Sequence, residues 1–249
     1  DGSFQPTVEE IAECVGSSTK VIILNSPNNP SGAMYSREFI AEIVRYCEKK
    51  DLWLVMDDLY NRLVFDGQQA PNPYEFADDL GPASKLVVVQ GVSKMYAMTG
   101  FRIGWAVANR KLIEAMTNIQ SHQTSGPSAL LQHAAAAALA GLQSSVESLR
   151  VTLENNRNVL MSRLESFDGV RVTKPDGTFY LFADFSHYDK NSTRLSELLL
   201  SKVLVATVPG VEFGMEGYLR LSYCGTIKDV TEGVERMKWA LDPNAPNEL

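Results

Sequence analysis

The 249-residue sequence is poor in the residues that build metal and redox sites. Its three cysteines, Cys14, Cys47 and Cys224, form no CxxC pair, and its three histidines are too scattered for a shared ligand set. We therefore expect no metal site. We expect three buried or half-buried thiols in a reducing compartment, and hence a cytoplasmic protein.

Long apolar runs and stretches of positive charge are also absent. No apolar run approaches the roughly 20 residues that a membrane-crossing helix needs, so we expect no membrane partner. The formal net charge is −7, with Lys and Arg interspersed among Asp and Glu, which argues against nucleic acid as a partner. No G-x-G-x-x-G follows a strand, and G-x-x-x-x-G-K is missing, so neither a dinucleotide nor ATP in a P-loop is predicted.

The first part of the chain alternates short apolar strands with amphipathic helices. Strands are predicted at residues 20–24, 52–56, 86–90 and 103–108. Helices are predicted at residues 7–15, 36–50, 109–120 and 129–142. This alternation predicts an α/β domain with a mostly parallel sheet that is buried on both faces.

The pattern changes after a long helix predicted at residues 144–167. Short strands and two further helices follow, at residues 170–173, 178–182, 204–208 and 218–223 and at residues 195–202 and 229–241. They predict a smaller α+β module. We place the large domain at residues 1–145 and the small domain at residues 146–249, joined by the long helix.

Polar clusters follow three of the predicted strands. Asn29 stands in the first cluster, Asp57 and Tyr60 in the second, and Ser93 and Lys94 in the third. In open α/β sheets, ligands bind outside the carboxyl ends of the strands. An amide, a carboxylate, a phenol and an amine at that edge suit a cofactor with a carbonyl, a phenolic oxygen and a basic ring nitrogen.

Each of these residues also has an ordinary structural interpretation. Lys94 could be a surface charge, Asp57 a turn or helix cap, and Asn29 part of a proline-rich turn. The others could be a core aromatic or members of surface ion pairs: Tyr60, Arg102 and Arg220. Their joint order and spacing carry more information than any single residue.

Four segments in order, NSPNNPSG, DDLY, GVSKMYAMTGFRIGW and YLRLSY, resemble the class I/II aminotransferases of pyridoxal phosphate (PLP) fold type I, the aspartate aminotransferase-like superfamily. The spacing K-x-x-x-x-T-G-x-R-x-G-W is the most specific part, and the resemblance covers nearly the whole chain. It implies an α/β large domain with an α+β small domain, PLP as cofactor, a homodimer, and ping-pong transfer between an amino acid and a 2-oxo acid.

The resemblance implies roles for the matching residues. Lys94 would hold PLP as a Schiff base and later remove the proton from the substrate Cα, while Asp57 would pair with the ring nitrogen. Tyr60 and Asn29 would hydrogen-bond the 3′-oxygen of the cofactor. Arg102 with Ser93 would bind the cofactor phosphate, and Arg220 would bind the α-carboxylate of the substrate. The substrate side of the site would be lined by Asn29, Phe179 and Tyr180.

Two departures from the family bear on the cofactor site. Gly91 stands three residues before Lys94, where relatives often carry a hydroxyl, so one phosphate contact is missing. Family members also carry a long portion before the segment that begins here at Asp1. We therefore expect the 249 residues to be a fragment of a longer enzyme that does not turn over substrate alone.

Two other functions remain open for the same residues. One is a fold type I lyase, such as a C–S lyase, although lyase-like relatives tend to carry His where Tyr60 stands. The other is a PLP-binding, non-enzymatic domain of a regulator, which would need a DNA-binding module outside these residues.

Overall fold

The computed structural model describes residues 3–78 and 80–243. The chain forms two compact units. The parallel-sheet unit consists of residues 4–27 and 34–149. The antiparallel-sheet unit contains the segment Asn28–Ala33 and the chain from Arg150 onward.

The parallel-sheet unit is built on one four-stranded sheet. Its strands lie in the order β1-β2-β3-β4: β1 (Val21–Asn25), β2 (Trp53–Asp57), β3 (Leu86–Gly91) and β4 (Gly104–Val107). The first three strands run parallel, which confirms the predicted mostly parallel sheet, whereas β4 is antiparallel to β3. The helices are α1 (Val8–Cys14), α2 (Arg37–Lys50), α3 (Arg110–Gln123) and α4 (Ala129–Ala140).

Local sequence signals explain where these helices begin and which face they bury. Thr7 and Glu10 form a complete capping box at the start of α1, and the Ser36 side chain caps α2 by accepting from the backbone of Phe39. The buried face of α2 consists of its apolar residues at helical spacing: Phe39, Ile40, Ile43, Val44 and Cys47. These residues pack into one core with the inner side chains of β2 and β3.

The antiparallel-sheet unit has a sheet of the opposite kind. Its strands lie in the order β5-β6-β8-β7, and every pair is antiparallel: β5 (Arg171–Val172), β6 (Tyr180–Asp184), β7 (Val208–Pro209) and β8 (Tyr218–Ser222). The helices are α5 (Ser144–Leu164), which begins in the other unit, α6 (Ser192–Val203) and α7 (Ile227–Leu241).

Two of the predicted strands begin later than expected. Thr178 has a φ of 68°, so the chain cannot be extended there and β6 starts at Tyr180. Leu204 has a φ of 56° and donates its N–H to the last carbonyls of α6, so it ends that helix and the strand predicted at residues 204–208 shrinks to β7. Both differences come from left-handed residues that are neither glycine nor asparagine.

The expectation of buried or half-buried thiols is wrong for two cysteines. Cys47 is buried on α2, but Cys14 and Cys224 are exposed, and all three are free. Cys14 lies in the last turn of the short, seven-residue α1, and Cys224 lies just after β8. In neither place does a second layer of structure cover the side chain.

The parallel-sheet unit leaves several large apolar side chains in solvent. They lie on β1, on α3 and α4, and just after α4: Ile23, Ile119, Leu130, Leu139 and Leu142. Within the described ranges, no helix combines the length and the hydropathy needed to cross a membrane. The same residues contain no grouping of three or more His, Cys, Asp or Glu that could hold a metal ion.

Candidate active site

The carboxyl ends of the three parallel strands meet at one edge of the sheet. Asn25, the last residue of β1, lies opposite Asp57, the last residue of β2, and its Nδ2 donates to the Asp57 carbonyl at 3.0 Å. Gly91 ends β3 at the same edge. Two of the predicted polar clusters, those after β2 and β3, are therefore brought to one end of the parallel-sheet unit.

Asp57 is half-buried and has an unused acceptor. Its Oδ1 is buried and has no hydrogen-bond partner among the described residues. Burial raises the pKa of this carboxyl, while the backbone N–H of Leu59 and the positive charge of Lys94 act in the opposite direction. A buried carboxylate oxygen without a donor is costly, so this position suits a ligand that brings its own N–H.

Lys94 lies in a tight turn three residues beyond the end of β3. The N–H of Ala97 donates to the Lys94 carbonyl at 3.2 Å, and the N–H of Val92 donates to the carbonyl of Ile103 at 3.2 Å. Because the turn is tied to the chain that leads into β4, the half-buried Lys94 side chain is held where its charge acts on Asp57. The structure therefore brings the predicted amine and carboxylate together.

The other predicted cofactor residues of this unit surround the same edge. Tyr60 is buried in the turn after Asp57, with 4% of its surface exposed, and Ser93 is half-buried beside Lys94. Arg102 is exposed, has a φ of 55°, and donates from Nη1 to the carbonyl of Thr99 at 2.9 Å. Their roles toward a cofactor remain predictions.

Gly91 has a steric reason for lacking a side chain. A Cβ there would lie 2.9 Å from the carbonyl oxygen of Ile103 and 3.2 Å from the Cα of Gly104, its partner on β4. Two glycines facing each other let the antiparallel edge strand approach closely. A hydroxyl-bearing side chain at position 91 would therefore disrupt the close β3–β4 pairing that supports the turn of Lys94.

A buried polar network behind Asp57 was not predicted. Asp58 is buried, and its Oδ2 accepts from Gln90 Nε2 at 2.6 Å and from Asn61 Nδ2 at 2.8 Å. Burial raises the pKa of Asp58 to about 6, against the lowering effect of these two donors. Asp58 and Gln90 line a cavity of about 360 Å³. The only sequence signal for this network is the alternation of side chains along a strand, which directs Asp58 to the face opposite Asp57.

A second unpredicted contact ties α4 to the turn of Lys94. The Tyr96 hydroxyl donates to Gln143 Oε1 at 2.8 Å, and Gln143 Nε2 donates to the carbonyl of Gly141 at 2.7 Å. Gln143 therefore closes the end of α4 and holds Tyr96, two residues beyond Lys94. No motif marks this glutamine, because its role depends on a partner 47 residues away.

In the antiparallel-sheet unit, Arg220 on β8 is surrounded by neutral groups. Its Nη1 donates to Asn29 Oδ1 at 2.9 Å, and its guanidinium carbon lies 4.4 Å from the ring centroid of Tyr180 and 5.3 Å from that of Phe213. No carboxylate among the described residues forms an ion pair with it. We call these four residues the Arg220 cage. An arginine held this way keeps its charge available for an anion.

The two neighbouring asparagines have different roles. Asn28 Oδ1 accepts from both the N–H and the hydroxyl of Ser31, and the N–H of Gly32 donates to the Asn28 carbonyl. Asn28 therefore shapes the proline-rich turn. Asn29 instead directs its side chain to Arg220.

Phe179 lies beside the Arg220 cage. Its ring centroid is 4.5 Å from that of Tyr180, and its carbonyl accepts from the N–H of Tyr223 at 3.0 Å. The ring is half-buried. Phe179 therefore adds an apolar ring beside Tyr180, and its role toward a substrate remains a prediction.

The fold of this chain is that of known aminotransferases. An aromatic aminotransferase from Pyrococcus horikoshii superposes with a TM-score of 0.89 at 32% identity, covering 95% of this chain and 63% of that one. The aspartate aminotransferase from Thermus thermophilus with maleate gives 0.89 at 32% identity, covering 96% and 61%. In sequence, the aspartate aminotransferase of Streptomyces avermitilis is 36% identical over 244 residues, 94% of this chain and 59% of the relative.

The sequence model of the family "Aminotransferase class I and II" matches residues 1–237. The chain belongs to this family, as its motifs predicted. It spans about three fifths of the length of the relatives it matches, for example 61% of the aspartate aminotransferase of Bacillus subtilis at 33% identity.

The family is PLP-dependent, and the parallel-sheet unit fits that cofactor. The buried, unpartnered Oδ1 of Asp57 is an acceptor suited to a protonated ring nitrogen. Lys94 supplies a primary amine whose charge acts on the same carboxylate. Tyr60 is buried in the turn that follows Asp57, and its role toward the cofactor ring remains a prediction.

Proposed function

We propose that the protein is a PLP-dependent aminotransferase that moves an amino group between an L-amino acid and a 2-oxo acid. The observation that carries this proposal is the buried Oδ1 of Asp57, which has no donor among the described residues although the charge of Lys94 acts on the same carboxyl. When bound, the cofactor supplies a protonated ring into which electrons from the substrate Cα can delocalise.

Lys94 and Asp57 divide the work at the cofactor. Lys94 would hold the cofactor through its primary amine, and the same amine, when free, would take the proton from the substrate Cα as general base. Asp57 would accept the ring N–H through its buried Oδ1, and the cationic ring would counteract the burial that raises the pKa of this carboxyl. Both residues act in each half-reaction, so one site serves the amino donor and the 2-oxo acceptor in turn.

The remaining predicted residues hold the reactants. We assign Tyr60 and Asn29 to the 3′-oxygen of the cofactor, and Arg102 with Ser93 to its phosphate. We assign the α-carboxylate of both substrates to Arg220, because its guanidinium has only neutral neighbours within its cage. Asn29 and Phe179 complete the substrate side.

Covalent trapping tests the assignment of Lys94. The full-length protein is incubated with PLP, reduced with sodium borohydride and digested, and the peptides are mapped by mass spectrometry. We expect the phosphopyridoxyl group on Lys94 and not on the exposed Lys111, which serves as the internal control. Labelling that is spread over surface lysines and spares Lys94 would remove the basis of the proposal.

A two-stage assay tests the reaction. Amino acids are added one at a time, beginning with aspartate and the aromatic amino acids for which relatives are named, and the absorbance of the bound cofactor is followed. Loss of absorbance that recovers on adding a 2-oxo acid shows transfer. Release of ammonia with a 2-oxo acid from the donor alone shows a lyase, and no response to any amino acid supports the regulator alternative.

We also propose a cytoplasmic homodimer. Support for the dimer comes from exposed apolar side chains on α3 and α4, among them Ile119 at 59% and Leu130 at 76% exposure. The three free cysteines suit a reducing compartment. Ile119→Asp with Leu130→Asp should lower the mass in sedimentation to that of one chain, whereas Leu204→Asp, an exposed apolar position on the other unit, should not. An unchanged mass in the double variant would exclude this surface.

A further inference from the structure

Tyr180 and Arg220 are diagonal neighbours on one face of the antiparallel sheet. Arg220 on β8 lies directly opposite Phe182 on β6, and Tyr180 precedes Phe182 by two residues, so all three side chains share a face. The guanidinium carbon sits 4.4 Å from the Tyr180 ring centroid. The strand register therefore places the flat guanidinium group over the flat face of the ring.

The other members of the cage restrict the guanidinium further. Phe213 lies 5.3 Å from the guanidinium carbon and packs edge-on against Phe182 at 5.7 Å. Asn29 takes one N–H of Arg220 at 2.9 Å. Because an aromatic ring covers the face and an amide takes one edge, the remaining N–H groups point in a fixed direction.

The position of Tyr180 is itself set by an unusual turn. Thr178 is fully buried and has a φ of 68°, a conformation that β-branched residues rarely adopt. Its hydroxyl accepts from the N–H of Tyr180 at 3.0 Å, and the fully buried Arg157 donates to the carbonyl of Pro175 at 2.9 Å. Strained backbone of this kind persists only where the surroundings hold it, and it occurs mainly at functional sites.

The loop that carries Asn29 is fixed to the same turn. The carbonyl of Gly32 accepts from the N–H groups of Asp176 and Gly177 at 2.9 and 3.0 Å. Gly32 has a φ of 73°, and a Cβ there would lie 2.5 Å from the Cβ of Pro175. The contact of Gly32 with Asp176 and Gly177 therefore joins the loop that carries Asn29 to the turn that leads to Tyr180.

We propose that Tyr180 is a positioning residue that fixes the plane of the Arg220 guanidinium for a planar α-carboxylate. This inference rests on the proposed function, in which Arg220 binds that carboxylate in both half-reactions. The ring holds the guanidinium in its binding orientation before substrate arrives, so the ordering cost is met during folding and not during binding. The aromatic face is the required feature, and the hydroxyl is not.

The test compares Tyr180→Leu with Tyr180→Phe in the full-length, PLP-loaded protein. Loss of the aromatic face should raise KM for the amino acid and for the 2-oxo acid by about 3- to 30-fold, with kcat within about twofold of wild type. Tyr180→Phe should stay within about twofold on both. The dissociation constant of a 2-methyl amino acid, which has no Cα proton to lose, should rise by the same factor as KM.

Several outcomes would overturn the proposal. They are an unchanged KM in Tyr180→Leu, a loss in Tyr180→Phe as large as in Tyr180→Leu, or a fall in kcat with KM intact. If Tyr180→Leu does not fold, Phe213→Leu should raise KM by a smaller factor, because Phe213 is the more distant ring, and an unchanged KM there counts against the proposal. A wild-type protein that binds PLP but never transfers an amino group would instead refute the proposed function.

Discussion

The Arg220 cage and the Asp57–Lys94 group differ in how complete they are. In the cage, an amide and two aromatic rings of the same unit already contact the guanidinium. In the Asp57–Lys94 group, a buried carboxylate oxygen has no donor among the described residues, and the nearby Arg102 is exposed. The first is organised by this chain, whereas the second leaves bonding capacity for a ligand.

This difference indicates which part of the chemistry each group supplies. A guanidinium held in one orientation gives selectivity for a carboxylate and needs little rearrangement when substrate binds. A carboxylate whose pKa is raised by burial, close to an amine, is destabilised until a cationic ring completes it. The Arg220 cage is therefore stabilised by contacts within this chain, whereas the Asp57–Lys94 group contains a buried acceptor that those contacts do not satisfy.

Lys94→Ala should have the largest effect on activity. An active Lys94→Ala variant would contradict the assignment of the cofactor to the Asp57–Lys94 group. Covalent attachment and proton removal both depend on this amine, so kcat/KM should fall by at least ~10³-fold while the thermal midpoint of the cofactor-free protein stays the same. Steady-state kinetics of the full-length protein measure this effect. Lys111→Ala, an exposed lysine on α3, is the matched control and should keep full activity.

Arg157→Met tests whether the buried Arg157 stabilises the turn that precedes Tyr180. The fully buried guanidinium is replaced by a side chain without donors, leaving the Pro175 carbonyl unpaired, so the free energy of unfolding should fall by about 2–4 kcal/mol. Urea denaturation measures the change. Arg163→Met on the same helix removes only an exposed pair with Glu235 and should cost at most about 1 kcal/mol. Equal losses in the two variants would show that burial of Arg157 is unimportant.

Asp57→Asn separates activity from stability in the cofactor group. An amide keeps the shape but loses the charge-assisted bond to the ring nitrogen, so kcat should fall about 10- to 100-fold. The cofactor-free variant should be at least as stable as wild type at neutral pH, because the cost of burying the charge is removed. Loss of both activity and stability would mean that Asp57 is structural. Asp51→Asn, at an exposed carboxylate, is the control.

Asp58 gives a smaller effect that depends on pH. Its folded pKa of about 6 lies above the usual 3.8, so the folded state holds this proton more tightly than the unfolded state does. The free energy of unfolding should therefore be highest below pH ~4 on this account and fall by about 1–3 kcal/mol as the pH rises through 6. Asp58→Asn should flatten this part of the curve in denaturation measured from pH 4 to 7.5. A slope that persists in the variant would assign the effect to another group.

Local sequence signals predicted much of this fold because their causes are local. The capping box of Thr7 and Glu10 and the apolar face of α2 depend on residues three or four positions apart. The predicted strand ends identified the polar residues that follow them, among them Asp57 and Lys94. The parallel pairing of β2 with β3 brings Asp57 and the end of β3, which leads into the turn of Lys94, to the same edge of the sheet.

The missed features depend on distant partners or on rare backbone conformations. Gln143 acquires its role only through Tyr96, and Asp58 only through Gln90, which is 32 residues away. β-Branched residues favour extended backbone, but Thr178 is left-handed. A strand was therefore predicted from residue 178, where the structure has a turn. The antiparallel direction of β4 also has no signature in its four residues, because direction is decided by the route of the chain.

The Gly32 contact has a consequence for how this protein can be divided. Six residues near the start, Asn28–Ala33, belong to the unit formed by the chain from Arg150 onward, so the backbone that follows Phe4 passes from one unit to the other three times. A cut at residue 149 would yield a C-terminal piece that lacks both Asn29 and the glycine that anchors its loop. The Arg220 cage is therefore encoded by two separated stretches of the gene, and neither stretch encodes it alone.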